Sequence, residues 1–199
     1  MSEMERNLAV MQIEGLMDTF KDAREYGSIL NVDACDWGVL EKFVDDLGIT
    51  GQISFESVGS EETQESLRKM VRVAKNLGQK YDVVVTNPPY MNSDSMDNML
   101  YDYVQKKYKD EKSDLFSVFM ARCAEYSTYD GYISLITQQA WMFLSSFENL
   151  RKKILLGSIT NMLHLGTRAF EDISGEVVQT VSFVWSKKKL ENHNAKYIR

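Results

Sequence analysis

The chain has 199 residues, 44% of them hydrophobic and 26% charged, with a formal net charge of −6. That length supports one domain with a sizeable core, and the composition is that of an ordinary soluble globular protein. The acidic balance argues against a chain that grips nucleic acid mainly through its phosphates. No apolar run reaches bilayer length and the amino terminus lacks a basic-then-apolar secretory pattern, so the cytoplasm is the expected compartment.

Residues 3 to 26 read as one helix, with Met4, Leu8, Met11, Leu16 and Phe20 near helical spacing and Gly27 placed to end it. Ser28 to Val32 is a short strand or an extended link, after which Asp36 caps a second helix running through Leu40, Phe43, Val44 and Leu47 to Gly48. Gly51 to Ser60 reads as a loop. Ser60 then caps a third helix, Glu61 to Leu77, with Leu67, Met70, Val71, Ala74 and Leu77 on its apolar face and Gly78 closing it. Cys35 and Cys123 lack a partner at ligand spacing, as do His164 and His193, so no metal site, zinc deaminase centre or disulfide is expected.

The most informative stretch follows. Val83, Val84 and Val85 form a continuous apolar run, the pattern of a strand buried on both faces of a parallel sheet, and it stops at the chain's only two prolines. A proline cannot donate a ladder hydrogen bond, and each one pushes its predecessor toward extended geometry. Asn87-Pro88-Pro89-Tyr90 is therefore a stiff corner at a strand's carboxyl end, the edge of an open α/β sheet where ligands bind. The Asn87 amide oxygen and the Pro88 carbonyl offer two fixed acceptors that suit an NH2 group, and Tyr90 offers a flat ring. The corner suits a planar amino-bearing group such as adenine, cytosine or a carboxamide. The structural alternative is a tight turn with Tyr90 capping a core.

Beyond the corner, Met91 to Lys112 reads as a polar, Met-rich loop beside the site, a binding or lid segment. Asp114 begins a helix through Leu115, Val118, Phe119 and Cys123 to about Thr128. A strand over Gly131 to Thr137, a helix over Ser145 to Leu155 with Phe147 and Leu150 inward, and strands over Ile159 to Leu165 and Val177 to Trp185 complete the chain. The basic clusters Arg151-Lys152-Lys153 and Lys187-Lys188-Lys189 read as solvated element ends. Strand–helix–strand order predicts right-handed parallel crossovers with a late antiparallel addition.

On Asn87-Pro88-Pro89-Tyr90 the chain resembles the amino-methyltransferases that use S-adenosylmethionine. Lys112-Ser113-Asp114-Leu115-Phe116-Ser117-Val118-Phe119 and Gly131-Tyr132-Ile133-Ser134-Leu135-Ile136-Thr137 resemble the next segments of adenine-specific DNA methyltransferases. The stretch His164-Leu165-Gly166-Thr167-Arg168-Ala169-Phe170 with Gly175-Glu176-Val177-Val178-Gln179-Thr180 is similar to the PglX methyltransferases of BREX phage-exclusion systems.

That resemblance implies a Rossmann-like, class I S-adenosylmethionine-dependent methyltransferase fold and transfer of a methyl group to a flipped adenine N6. Asn87, Pro88, Pro89 and Tyr90 are the implied catalytic residues. Tyr90 and Phe170 would hold the base from its two sides, and Phe170 reads equally as a loop anchor. Asn87 and Asp114 are the candidates near the cofactor, although Asp114 is more simply a helix cap. The pattern departs from the family before residue 81: no Gly-x-Gly follows a strand, and residues 1–80 read as a helical lead-in to a catalytic half over 81–199.

The expectation is a truncated methyltransferase domain, with the first strands and the glycine-rich cofactor loop missing. It would bind S-adenosylmethionine weakly or not at all and be inactive alone, relying on an upstream cofactor half, a downstream target-recognition region and double-stranded DNA. An uncovered sheet edge would favour a homodimer. A protein-glutamine methyltransferase would use the same two acceptors on a carboxamide, and a non-catalytic module would complement a cofactor-bearing partner.

Overall fold

Amphipathic helices build the first of the two compact units, Met1–Gln79 and Lys80–Arg199, into which the chain divides. The computed structural model describes residues 1–49, 58–166 and 179–199. Helix α1 (Glu3–Phe20) starts in a capping box: the Glu5 backbone N–H donates to Ser2 Oγ at 3.3 Å, and the Ser2 N–H donates to Glu5 Oε2 at 2.7 Å. Its buried Ala9, Ile13 and Leu16 recur at helical spacing. The expected single helix to residue 26 is broken. Thr19 Oγ1 donates to the Gly15 carbonyl at 2.8 Å, a back-bond that weakens a last turn. The short helix α2 (Ala23–Tyr26) then ends at Gly27, whose φ of 52° suits glycine.

Residues 27–29 form a 3₁₀ turn where the sequence suggested a strand or extended link. Asp36 caps α3 (Trp37–Ile49) as expected, its Oδ1 accepting from the Val39 N–H at 3.1 Å. Helix α4 (Val58–Gly78) begins before Ser60, which therefore lies inside the helix rather than capping it. Residues 51–57 of the predicted loop fall outside the described residues. Ala9, Ile13, Leu16, Leu40, Val44, Val71 and Ala74 form one core, with Leu67 and Met70 packed against it.

The second unit is a single mixed sheet. Its strands are β1 (Tyr81–Thr86), β2 (Ser127–Gln138), β3 (Ser158–Gly166), β4 (Thr180–Ser186) and β5 (Lys196–Ile198), in the order β1-β2-β4-β3-β5. Strands β1 and β2 are parallel across α5 (Asn98–Lys107) and α6 (Leu115–Tyr126). Strand β4 then inserts antiparallel between β2 and β3. The parallel crossover and the antiparallel addition follow the sequence pattern. The short strand β5, parallel to β3, does not figure in it.

One face of the sheet is packed. Ile133, Leu135, Val181, Phe183 and Trp185 alternate with outward residues and meet Phe116, Met120 and Cys123 of α6, together with Leu150 and Ile154 of α7 (Glu148–Leu156). Burial pushes the Cys123 thiol up to about 12, so it behaves as a small apolar side chain.

Three expectations are corrected here. β1 is an edge strand rather than one buried on both faces, with Val83 61% and Val85 71% exposed and only Val84 packed on the core. Residues 91–112 are not a long loop, because Asp97 caps α5 through the Leu100 N–H at 2.8 Å and Leu100, Val104 and Tyr108 are buried at successive turns. The basic clusters are not simply solvated. Lys187 Nζ donates to the Ala124 and Ser127 carbonyls at 2.9 and 2.6 Å, and Lys153 Nζ pairs with the buried Glu111 at 2.7 Å.

Gly157 sits where α7 turns into β3, and a Cβ there would stand 2.1 Å from the Ser186 carbonyl oxygen and 2.7 Å from Trp185 Nε1. Both neighbours belong to the packed sheet, so relief requires a backbone shift. Gly157→Ala should destabilise the protein by roughly 1–3 kcal/mol. Urea denaturation measures this, and a variant as stable as wild type would refute the packing described.

Candidate functional site

The corner lies at the carboxyl end of β1, and the structure fixes it from both sides. On the entry side, Pro88 is buried while Asn87 and Pro89 are exposed, an alternation expected of extended backbone. The Asn87 carboxamide makes no hydrogen bond with any described residue. It is exposed, with no described protein partner, on a backbone with little freedom.

On the exit side the holding group is Asp114, the N-cap of α6. Its Oδ1 accepts from the Phe116 N–H at 3.1 Å and from the Met91 N–H at 3.2 Å. The Leu115 N–H donates to the Met91 carbonyl at 2.8 Å, and the Ser93 N–H donates to the Ser113 carbonyl at 3.2 Å. Residues 91–93 and 113–115 thus form a short two-stranded clasp centred on an Asn92–Asp114 bridge. Asn92 Oδ1 then accepts from the Ser95 N–H at 3.0 Å and stops the chain in a 3₁₀ turn.

Tyr90 is held between these two sides. Its hydroxyl donates to the Ile136 carbonyl at 3.2 Å, and its ring meets Phe116 edge-to-face with centroids 6.3 Å apart. It is half-buried against the core, so it anchors the corner as well as presenting a ring. Burial and then the Asp114 charge push its phenol above the ordinary value, so it remains a neutral donor.

Of the residues singled out from sequence, the structure brings Tyr90 and Asp114 together through the backbone of Met91. Asn87, Pro88 and Pro89 belong to the same corner. Phe170 lies outside the described residues. Sequence reasoning missed the clasp on Met91 and the edge contact from Phe116. The only signal for the clasp was the cap residue itself.

A further group at the same sheet edge was missed. His164 stands alone in the sequence, yet its Nε2 meets Gln139 Oε1 at 2.5 Å and Gln139 Nε2 donates to Gln179 Oε1 at 2.5 Å. These three residues line a cavity of about 470 Å3 with Met142, Phe143, Met162, Tyr197, Ile198 and Arg199. Among the described residues no cluster of His, Cys, Asp or Glu is arranged to hold a metal ion, and no helix is long and apolar enough to cross a membrane.

Burial raises the Asp114 carboxyl above its usual range, outweighing the backbone N–H groups that favour the anion. The folded state therefore holds this proton more tightly than the unfolded state. Stability from this group is fully present below the unfolded carboxyl value and declines as pH rises through the folded one. Asp114→Asn keeps the acceptor and lacks the burial cost of the charge, so its stability relative to wild type should improve from acid to neutral pH. Asp114→Ala leaves the Met91 and Phe116 N–H groups unmatched and should cost about 1–3 kcal/mol. Paired urea melts of both variants at acid and neutral pH check this. An Asn variant losing ground as pH rises would show the sign to be wrong.

Comparison with known proteins gives the site a family. The chain is 42% identical over 189 residues to the adenine-specific methyltransferase PglX of Lacticaseibacillus casei (strain Zhang), covering 94% of this chain and 16% of that protein. It is 38% identical over 169 residues to the adenine-specific methyltransferase BrxX of Escherichia coli O9:H4 (strain HS), covering 83% of this chain and 14% of that protein. The chain thus spans about a sixth of the length of these relatives. A solved structure of a putative class I S-adenosylmethionine-dependent methyltransferase from Listeria monocytogenes aligns at 14% identity with a TM-score of 0.46, covering 94% of this chain and 64% of the other. The profile of the Eco57I restriction-modification methylases matches residues 20–170, and the chain belongs to that family.

Proposed function

We propose that this chain forms the target-amine side of a DNA adenine-N6 methyltransferase of the restriction-modification or BREX phage-defence class. The observation that carries the reading is the exposed Asn87 carboxamide, free of described partners on a corner fixed at both ends. A group that only closed a turn would bond within its own scaffold. This one is left available.

In this reading an adenine is rotated out of the duplex at a cost of a few kcal/mol. Asn87 Oδ1 and the Pro88 carbonyl accept the two N6 hydrogens. That draws the nitrogen toward tetrahedral geometry and makes its lone pair available as the nucleophile. The acceptors bind more strongly as positive charge develops on the nitrogen, so they favour the transition state over the ground state. Tyr90 limits the motion of the base with its ring, while its hydroxyl keeps the ring in place through Ile136.

The family implies S-adenosylmethionine as the methyl source. Such a cofactor needs backbone amides brought close at a glycine turn after a strand. Among the described strands none is followed by Gly-x-Gly, so the described residues do not form that cradle. This chain builds the target's side of the reaction and works within a longer protein, as its relatives do, with double-stranded DNA as the partner.

The test is incorporation of labelled methyl groups into duplex DNA by that longer protein. Asn87→Ala should lower kcat by about 10²- to 10³-fold, as loss of one preorganised hydrogen bond does elsewhere. Its melting should be unchanged because the side chain is exposed and unpartnered among the described residues. Incorporation within threefold of wild type would sink the proposal.

A further inference from the structure

We propose that the cavity at the carboxyl end of β2 and β3 receives a second adenine base, a nucleotide of the same DNA some positions from the methylated one. This rests on the DNA reading above for the source of the base, while the recognition itself rests on the cavity. About 470 Å3 falls within the usual range for a small-molecule site. Two of the residues around it, Phe143 and Tyr197, are each 66% exposed and offer flat faces on which a base can stack. Among the described residues that line it there is no Asp or Glu, in a chain whose formal charge is −6.

The polar wall has a readable direction. His164 Nε2 meets Gln139 Oε1, and Gln139 Nε2 in turn donates to Gln179 Oε1. The backbones are tied as well, the Gln139 N–H donating to the Gln179 carbonyl at 2.9 Å. The turn carrying Gln139, Met142 and Phe143 is held by Arg151, which donates to the Trp141 and Leu144 carbonyls at 2.7 and 2.6 Å. The bonds in this row leave both amide hydrogens of Gln179 and the second lone pair of its Oε1 uncommitted. A glutamine amide with one donor and one acceptor available pairs bidentately with adenine N7 and N6.

Position along the sheet gives the spacing. From β1 to β4, which Gln179 enters, the order crosses two strand intervals, roughly 10 Å at about 4.8 Å each. One DNA strand advances about 3.4 Å per nucleotide, so a base paired with Gln179 lies on the order of three nucleotides from one at Asn87.

The experiment follows the His164 imidazole signals by NMR while the chain is titrated with dAMP, TMP, an oligo(dA) strand and S-adenosylmethionine. dAMP and oligo(dA) should shift them, TMP at least fivefold more weakly. Gln179→Leu, at an exposed position, should reduce dAMP affinity about fivefold or more. Asn87→Ala should leave the His164 response unchanged. Equal response to TMP, or no response to dAMP, would overturn the site without touching the methylation test of Asn87. A stronger response to S-adenosylmethionine than to oligo(dA) would overturn the assignment to DNA.

Discussion

A carboxylate at the start of α6 determines how well this chain can hold a corner. Two prolines set the direction in which the backbone leaves β1, but they act only on the residues before and at the corner. Without a restraint beyond Tyr90, each loose residue would retain about 1–2 kcal/mol of conformational entropy to lose on engaging a substrate. Asp114 supplies that restraint by accepting from Met91 and Phe116 at once, so one side chain joins the corner's exit to the first turn of a buried helix. The helix is itself well anchored, with Phe116, Val118 and Met120 nearly inaccessible. Rigidity thus passes from the core toward an exposed amide through the Asp114 bonds, the backbone clasp, the Tyr90 hydroxyl and a ring contact.

Much of this was legible in the residues. The Pro-Pro stop and the Asp36 and Asp114 caps each reflect a short-range rule, and the elements they bound are found close to their expected limits. The misreadings share a different cause. Val83, Val84 and Val85 look like a doubly buried strand, but burial depends on which elements lie beside β1, and those are not local to it. Helix α5 was hidden by polar residues around its start, although Asp97 and the four-residue spacing of Leu100, Val104 and Tyr108 could have revealed it. The row His164–Gln139–Gln179 had no sequence signal at all. Its members come from three elements that only the antiparallel insertion of β4 brings together.

The placement of cations bears on how DNA would be held. Lys187 and Arg151 look basic and available in the sequence, yet each donates to two main-chain carbonyls. Lys189 reaches the Gly157 carbonyl at 3.4 Å, and Lys153 neutralises Asp110 and the buried Glu111. These groups close element ends and offset buried acid. A chain of net charge −6 whose basic clusters are committed in this way contributes little to phosphate binding. Its contribution in the proposed enzyme is recognition of base edges and orientation of an amine.

The position of the corner on an edge strand has a consequence for its mechanics. Among the described residues β1 pairs with β2 alone, and its outward Val83 and Val85 are exposed. An edge strand so placed frays more easily than a central one. The bonds that keep Asn87 in register therefore lie downstream of it, in the Tyr90 hydroxyl on the Ile136 carbonyl and in the clasp between residues 91–93 and 113–115. Both attach to the helix-covered side of the sheet, the side that is already packed. The corner's fixed points are thus on β2 and α6 rather than on the strand that leads into it.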